Sequence, residues 1–371
     1  MGLSIEPFLP EHAEAVQAFN RRLEARGSTF RFPDTPVPTW LPPQDGVPVY
    51  QEYFLVRDRE AVRGGYILKP QAFWVDGTVR MIADYRLPVS EGIVDPRHAI
   101  VGMLTLKDAM KRQPLLFGLG MGSPEEPVAR LLKIFDFPIV PCPFYFRIIR
   151  PKRFLQGIEF LRRSNVQRKL LDLVAASGAG WVAMKAAHRV RNRYKQEASR
   201  FSWSEEMTFG PWADAIWESA KGAYALCAVR SRVVLDTLYP PEENRFTRLK
   251  VSEEGMTVGW AVVLDTRMRN HRQFGNLRVG SIVDCLALPG REAGVIAGAT
   301  HFMEGRKVDL IVSNQLQRDW CHAFVANGYL HGPTNFYFAV SPALGKLLQP
   351  LEECLEQTHM TRGDGDGPIN L

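Results

Sequence analysis

The same order of motifs runs through this chain twice, at an offset of about 200 residues, and a duplicated order restricts the fold to two copies of one unit. Phe8 and Pro10 are matched by Phe209 and Pro211, each pair ahead of a helix-like stretch. Gly65-Tyr66 is matched by Gly259-Trp260, and the run ending at Pro88 by the run ending at Pro289, which sets Asp84 and Asp284 as counterparts. After each Pro come a loop, a helix, a short apolar strand, a second helix and an ending of Asp136-Phe137 or Gly328-Tyr329.

At 371 residues the chain exceeds the size of a single hydrophobic core, roughly 250 to 300 residues, so two domains are expected. With 46% hydrophobic and 23% charged residues it has the composition of a soluble globular protein. No run approaches the ~20 apolar residues of a membrane span, and the first residues lack a basic start and an apolar signal core. Glu6 stands where a myristoylation motif needs Ser or Thr. Five scattered cysteines without a CxxC pair predict a reducing, cytoplasmic setting and no metal site.

The net charge of +6 is uneven, because residues 151–200 hold twelve Lys or Arg against three acids. The excess belongs to the stretch joining the copies. Its second half, residues 181–195, has a helical stripe of Trp181, Met184 and His188 flanked by bases. Such a helix packs one domain on the other, lies on an anionic membrane surface or holds a phosphate-rich substrate.

In the first copy Ala13, Val16, Phe19 and Leu23 predict a helix, and three strands follow with Asp76-Gly77 as a hairpin turn. Residues 33–48 form a proline-rich loop around Trp40 that covers an edge or a cleft. In the second copy strands lead to Pro289, Arg291–Gly305 and Gln315–Ala326 are helices around the strand at 308–314, and the strand at 334–340 closes the sheet. The polar, Gly-rich tail from 358 is expected to be disordered.

The strand and loop "LALPGREAGVIAG", the strand ending in Asn314 and the terminal "NGY" resemble the GNAT superfamily of acyl-CoA-dependent N-acyltransferases. The resemblance spans residues 3–149 and 205–340. It implies an α/β architecture of two tandem GNAT-like mixed-sheet domains, 1–150 and 205–357, with a basic helical connector at 151–204 and a tail at 358–371. The layout is similar to two-domain transferases that add amino acids to peptidoglycan precursors and to double-domain acyltransferases of surface-polysaccharide pathways.

The resemblance also implies a site. The family's coenzyme loop reads Arg or Gln, two residues, Gly, one residue, Gly or Ala, so that free N–H groups at a helix start face a pyrophosphate. Arg291, Gly294 and Val295 begin it, Ile296 departs from it, and Ala297 offers a small residue one place later. In the first copy Arg97 and Gly102 fit, Ile100 replaces the central Gly and Glu91 adds a negative charge. Acyl-CoA, acetyl-CoA among others, is therefore assigned to the second copy; the alternative is that both loops are plain helix caps. Leu286, Ala287 and Leu288 would bind the pantetheine and the thioester oxygen through backbone groups of a splayed strand. Asn314 would touch the cofactor or make a turn.

An amine attacking a thioester must lose a proton. Asp284 is the candidate base, with a structural ion pair to an Arg as its other reading. The family's Tyr acid is replaced by Phe324 beside the cofactor, and by Leu132 in the first copy, which leaves Tyr329, His322 or water to protonate the thiolate, or catalysis to be lost. Cys285 reads as a packing residue. The resemblance implies transfer to a small-molecule amine, such as a phosphorylated or nucleotide-linked amino sugar for surface polysaccharide. Nucleic acid is not expected as a partner, with an aminoacyl-tRNA-dependent transferase left open as an alternative beside a non-catalytic scaffold.

Overall fold

A computed structural model of the chain describes residues 2–36, 38, 40–158 and 200–365. Most of the expected basic connector, including the membrane-contact stretch 181–195, lies outside the described residues. The chain forms two compact units, each assembled from separate stretches. One takes Met1–Pro141, Ala225–Val229 and Asn335–Leu355; the other takes Cys142–Tyr224, Arg230–Thr334 and Glu356–Leu371. The units therefore depart from the contiguous domains 1–150 and 205–357.

The N-terminal unit is built on a sheet of order β1-β2-β3-β4-β5-β15-β6. Its strands are β1 (Leu3–Pro7), β2 (Glu52–Asp58), β3 (Ala61–Val75), β4 (Thr78–Ser90), β5 (Leu116–Leu119), β6 (Ile139–Pro141) and β15 (Tyr337–Val340). The short β9 (Leu226–Ala228) pairs with the end of β3. Asp76 (φ 49°) and Gly77 (φ 70°) turn β3 into β4 in the left-handed region that a two-residue hairpin needs. Helix α1 (Ala13–Ala25) buries Val16, Phe19 and Leu23 against Leu55, Val62 and Ile67 on one face. The other face, with Tyr66, Leu68, Ala83 and Tyr85, packs on α2 (Ile100–Arg112) and α3 (Pro127–Ile134) through Leu106, Ala109 and Leu132.

The C-terminal unit has a sheet of order β14-β7-β13-β12-β11-β10-β8. It comprises β7 (Phe144–Ile148), β8 (Phe201–Glu206), β10 (Thr247–Glu253), β11 (Met256–Arg267), β12 (Arg278–Ala287), β13 (Leu310–Asn314) and β14 (Leu330–Gly332). Helices α4 (Pro151–Gly157), α5 (Pro211–Ala220), α6 (Arg232–Leu238), α7 (Glu292–Gly305) and α8 (Arg318–Ala326) belong to this unit.

A shared steric detail marks the two units as copies and makes Gly64, not Gly65, the counterpart of Gly259. A Cβ on Gly64 of β3 would strike the Val89 carbonyl at 2.8 Å and Val101 of α2 at 2.6 Å, and one on Gly259 of β11 would strike the Leu286 carbonyl and Val295 of α7, both at 2.5 Å. The same two obstacles, a neighbouring strand carbonyl and a helix valine, exclude every side chain but hydrogen at both places.

Three expectations are corrected. First, the strand expected to close the second sheet, β15, pairs antiparallel with β5 and β6 of the N-terminal sheet, while β7, from the end of the first repeat, pairs with β13 of the C-terminal sheet. The repeats have exchanged closing strands. Second, residues 358–365 are not a disordered tail. Thr358, His359, Met360 and Asp364 are fully buried, and Thr361 caps a 3-10 turn at Arg362–Asp364. Third, Asp84 and Asp284 are not counterparts. β4 pairs in parallel with β5 as far as Asp84–Phe117, whereas β12 pairs with β13 only as far as Ser281–Val312. Ser281 is thus the partner of Asp84, and Asp284 corresponds to Leu87. Among the described residues no helix is long and apolar enough to cross a membrane.

Candidate functional site

In each unit one parallel strand pair parts beyond its last ladder residue, which leaves backbone groups on the two edges for another chain or a ligand to meet. In the C-terminal unit the occupant is the protein's own segment 358–364. Thr361 forms an antiparallel bridge with Gln315, and Leu316 donates its N–H to the Met360 carbonyl (3.3 Å). Gly363 lies against Tyr239 and Asp284 so closely that a Cβ would meet the Tyr239 hydroxyl at 2.2 Å.

Asp284 anchors this segment. Its carboxylate lies 3.0 Å from Arg230 Nε and accepts from the Tyr239 hydroxyl (2.8 Å) and the Thr361 hydroxyl (3.1 Å), while Arg230 Nη2 also reaches Asp364 at 2.6 Å. Arg230, Asp284 and Asp364 are all 0% exposed. Burial pushes the Asp284 carboxyl upward, as does the Asp364 charge, against the downward pull of Arg230. Burial also lowers His359 to about 3, so its ring is neutral. An anchored, dry carboxylate of this kind holds structure together; one removed partner would strand its charge.

The other predicted residues are dispersed. Leu286 and Ala287 are fully buried, and the Leu288 N–H, a candidate thioester donor, is spent on the Val258 carbonyl (2.8 Å). Arg291 precedes α7 and is ion-paired with Glu253 (2.8 Å). Gly294 is small because the ring of Phe201 fills the place of its side chain, where a Cβ would come within 2.2 Å of the ring, and Val295 and Ala297 are buried in α7. Asn314 donates to the Cys142 and Pro143 carbonyls (both 3.4 Å) and accepts from Arg362 (3.1 Å), tying β7 and the C-terminal segment to β13. Phe324 stacks on Tyr145 at 5.1 Å, and Tyr329 shares a hydrogen bond with Thr300 (2.8 Å), its hydroxyl pushed far up by burial. Burial likewise raises the Cys285 thiol, which suits packing and not nucleophilic attack. Beside the α7 start lies a pocket of about 350 Å³ lined by residues including Tyr224, Glu292, Gln317, Asp319 and His322. The Glu292 carboxylate, in the first turn of α7, accepts from the Gly290 N–H of the preceding loop (3.1 Å), which places an acidic group at this helix end.

The opening of the N-terminal unit has the opposite character. Leu87, at φ 41° in a bulge of β4, is 41% exposed, and Gly120 (φ 77°), just past β5, is exposed as well. Around the loop and the first turn of α2, Ile93, Ile100 and Met103 are exposed at 41%, 54% and 38%. A Cβ on Gly102 would meet only Leu131 at 3.8 Å, an ordinary contact. Glu91, whose charge counted against a phosphate here, is turned inward between Arg22 (2.9 Å) and Arg63 (3.0 Å). Arg97, paired with Asp95 at 2.7 Å, keeps its side chain 76% exposed.

No family model matches the sequence, and no curated relative does. Solved structures do share its fold. N-myristoyltransferase of Saccharomyces cerevisiae with bound myristoyl-CoA has a TM-score of 0.50 and 11% identity over 91% of this chain and 78% of that one. A conserved protein from Enterococcus faecalis, a probable N-acyltransferase, gives 0.50 and 10% over 94% and 75%. A GCN5-related N-acetyltransferase from Anabaena variabilis gives 0.50 and 8% over 91% and 72%. The fold is that of the N-acyltransferases, in a tandem form with two GNAT-like mixed-sheet units. At these identities the likeness carries the fold and leaves the chemistry to the residues.

Proposed function

We propose that the chain is an acyl-CoA-dependent N-acyltransferase whose acyl-CoA enters the N-terminal opening, between β4 and β5, and not the C-terminal one. The observation that carries this reading is the contrast between the two edges: solvent reaches Leu87 and Gly120, while the C-terminal segment covers Asp284 and Gln315. Apolar Leu87, Ile93, Ile100 and Met103 suit a pantetheine and acyl chain, and the exposed Arg97 beside them suits a phosphate. In the C-terminal unit the pocket by α7 places Glu292 and Asp319 where a pyrophosphate would pass, a repulsive arrangement.

The acceptor amine attacks the thioester carbonyl, a C–N bond forms as the C–S bond breaks, and the thiol, with a pKa near 8.5, is a tolerable leaving group. The ammonium proton leaves to water at the exposed mouth. Asp284 and Tyr329 serve the packing of the C-terminal unit. The acceptor class is a small-molecule amine; the phosphorylated amino sugar rested on the basic stretch outside the described residues, and no described residue supports it.

Titration calorimetry with acetyl-CoA tests the assignment. Ile100→Glu, an exposed position at the mouth, is expected to weaken binding about tenfold or more, and Arg291→Glu to leave it unchanged. The reverse pattern would return the coenzyme to the C-terminal unit, and no binding to the wild type would end the acyl-CoA reading. Thioester consumption with a panel of amines then reads out transfer.

A further inference from the structure

The face of the N-terminal sheet that carries α1 is apolar near the helix and polar under the proline-rich loop. Alternation along β3 puts Ile67, Lys69 and Gln71 on this face, and the β3–β4 register adds Arg86, Asp84 and Ile82 opposite them. Gln51 joins them: its neighbour Tyr50 donates to the Pro70 carbonyl (3.2 Å), and its own N–H goes to the Leu41 carbonyl (2.8 Å). Trp40 lies over the group, its ring centroid 5.3 Å from the Arg86 guanidinium and 5.5 Å from Lys69 Nζ. Lys69 and Gln71 are 0% exposed, Asp84 1% and Gln51 3%.

Several polar atoms here have no hydrogen-bond partner among the described residues. They are both ends of the Gln71 amide, Nε2 of Gln51, Nη1 of Arg86 and the indole nitrogen of Trp40. A buried group of this kind is costly when unmet, so a cluster of them on one face is a site waiting for a partner. The partner's chemistry follows from the count. All but Gln71 Oε1 are donors, and around them two cations, Lys69 and Arg86, face the single carboxylate of Asp84, 3.6 Å from Arg86 Nε, which leaves one positive charge in excess. Donors in excess beside a guanidinium, in a dry place, select a small monoanion with several acceptor lone pairs.

We propose that Gln51, Gln71, Arg86 and Trp40 bind the carboxylate of an amino acid or short peptide, which is the acceptor of acyl transfer. The identity as acceptor rests on the function proposed above; the carboxylate site does not. Asp84 belongs to the last β4–β5 pair and Arg86 lies just beyond it, so a molecule anchored by its acid group here holds its amine beside the opening. Binding energy taken from that remote carboxylate orients the amine for attack.

Calorimetric titration of the full chain with glycine and glycylglycine, and with glycine methyl ester as the control that keeps the amine and lacks the carboxylate, tests the site without acyl-CoA. The acids are expected to bind and the ester to bind at least about tenfold more weakly, a difference of roughly 1.4 kcal/mol. Gln71→Leu is expected to lose that preference and to keep acetyl-CoA binding; Gln51→Leu gives the same reading should the first variant fail to fold. Equal binding of acid and ester, acids bound equally by wild type and both variants, or no binding of the acids to wild type, would overturn the proposal and leave water as the partner of these groups. Acetyl-CoA binding without acid binding would overturn this site alone, and acid binding without acetyl-CoA binding would overturn the transferase reading alone.

Discussion

Leu87 and Asp284 stand at the same place in two copies of one fold, each three positions past the last parallel pair of its strand. Leu87 is 41% exposed; Asp284 is fully buried under the segment 358–364. Across each opening the contrast repeats, with an exposed Gly120 after β5 and a fully buried Gln315 after β13. A parted strand pair is therefore not a binding site in itself. It is a pair of unsatisfied edges, and what meets them decides whether the copy holds a ligand or holds its own chain. One copy is stabilised by occupation and the other is left with an entrance.

The largest effect is expected where the filled opening is locked. Arg230→Met leaves Asp284 and Asp364 buried without their cation, and losing one member of such a group costs about 3–5 kcal/mol. Urea denaturation measures it. Replacing Asp284 and Asp364 by Leu as well is expected to recover most of the loss, because the three charges then leave the core together. A loss below about 1 kcal/mol for the single variant would mean that the segment is held by packing and not by charge, and the contrast between the copies would rest on shape alone.

The charge lock also predicts a pH dependence confined to one copy. His359 is neutral when folded, with a pKa of about 3 against an ordinary value near 6.5. Between those values the unfolded chain takes up a proton that the folded chain refuses. The stabilisation is complete above about pH 6.5 and falls with pH at up to about 1.4 kcal/mol per unit until about pH 3. Asp284, shifted upward by burial, contributes the opposite slope in the acid range, so the measurement is a difference. His359→Phe keeps a ring for Tyr224 and Trp320 to pack on, and its denaturation midpoint should lose less than the wild type's on acidification from pH 7 to 5. Parallel curves would show that His359 is not dry and that the opening is less sealed than the bare burial implies.

The sequence made the duplication readable because a fixed order of strands, turns and helices survives where side chains diverge: Gly64 and Gly259 answer the same clash, and Asp76-Gly77 announces its hairpin. Three things were hidden for separate physical reasons. The aromatic strands β7 and β15 have similar patterns, "FYFRI" and "YFAV", and apolar alternation states that a strand is half-buried without naming the sheet that receives it. Bulges in β4 and β12 insert a residue at unequal distances from each Asp, so a similar spacing to the following proline, four residues for Asp84 and five for Asp284, made the two look like twins. The sequence from 358 to 371 is polar and Gly-rich, the composition of a loose tail, yet the polar groups of 358–364 are met by Asp284, Arg230 and Asn314 once the fold brings them together. The coenzyme loop shows the limit most sharply. Gly294 fits the family pattern and Ile100 does not, but only the folded chain reveals that Phe201 occupies the space beside Gly294.

The exchanged strands give a smaller test of the open copy. Ser341 follows β15, accepts from the Leu116 N–H (3.1 Å) and donates to the Pro114 carbonyl (2.8 Å), both at the foot of β5. Ser341→Ala takes the partner from the Leu116 and Leu344 N–H groups and from the Pro114 carbonyl, and is expected to cost about 1–3 kcal/mol. It should also weaken acetyl-CoA binding, since β5 forms one edge of the proposed entrance. A stability loss with unaltered binding would show that the foot of β5 can loosen without disturbing the edge near Gly120.

The smallest effect separates architecture from chemistry in the closed copy. Tyr329 shares its hydroxyl with Thr300 alone among the described polar contacts of that hydroxyl, and Phe324 packs edge-on against its ring at 5.0 Å. Removing the hydroxyl with Tyr329→Phe keeps the ring contact and leaves Thr300 short of one partner, a cost of about 1 kcal/mol. If Tyr329 were the acid that protonates a departing thiolate, the same change would lower turnover by about 100-fold or more with little change in the Michaelis constant. The geometry predicts the first outcome, unaltered turnover with a slightly lower denaturation midpoint, because a proton donor must lie within reach of the sulfur it serves, and this hydroxyl is enclosed between α7 and the end of α8 in the copy whose opening its own chain has filled.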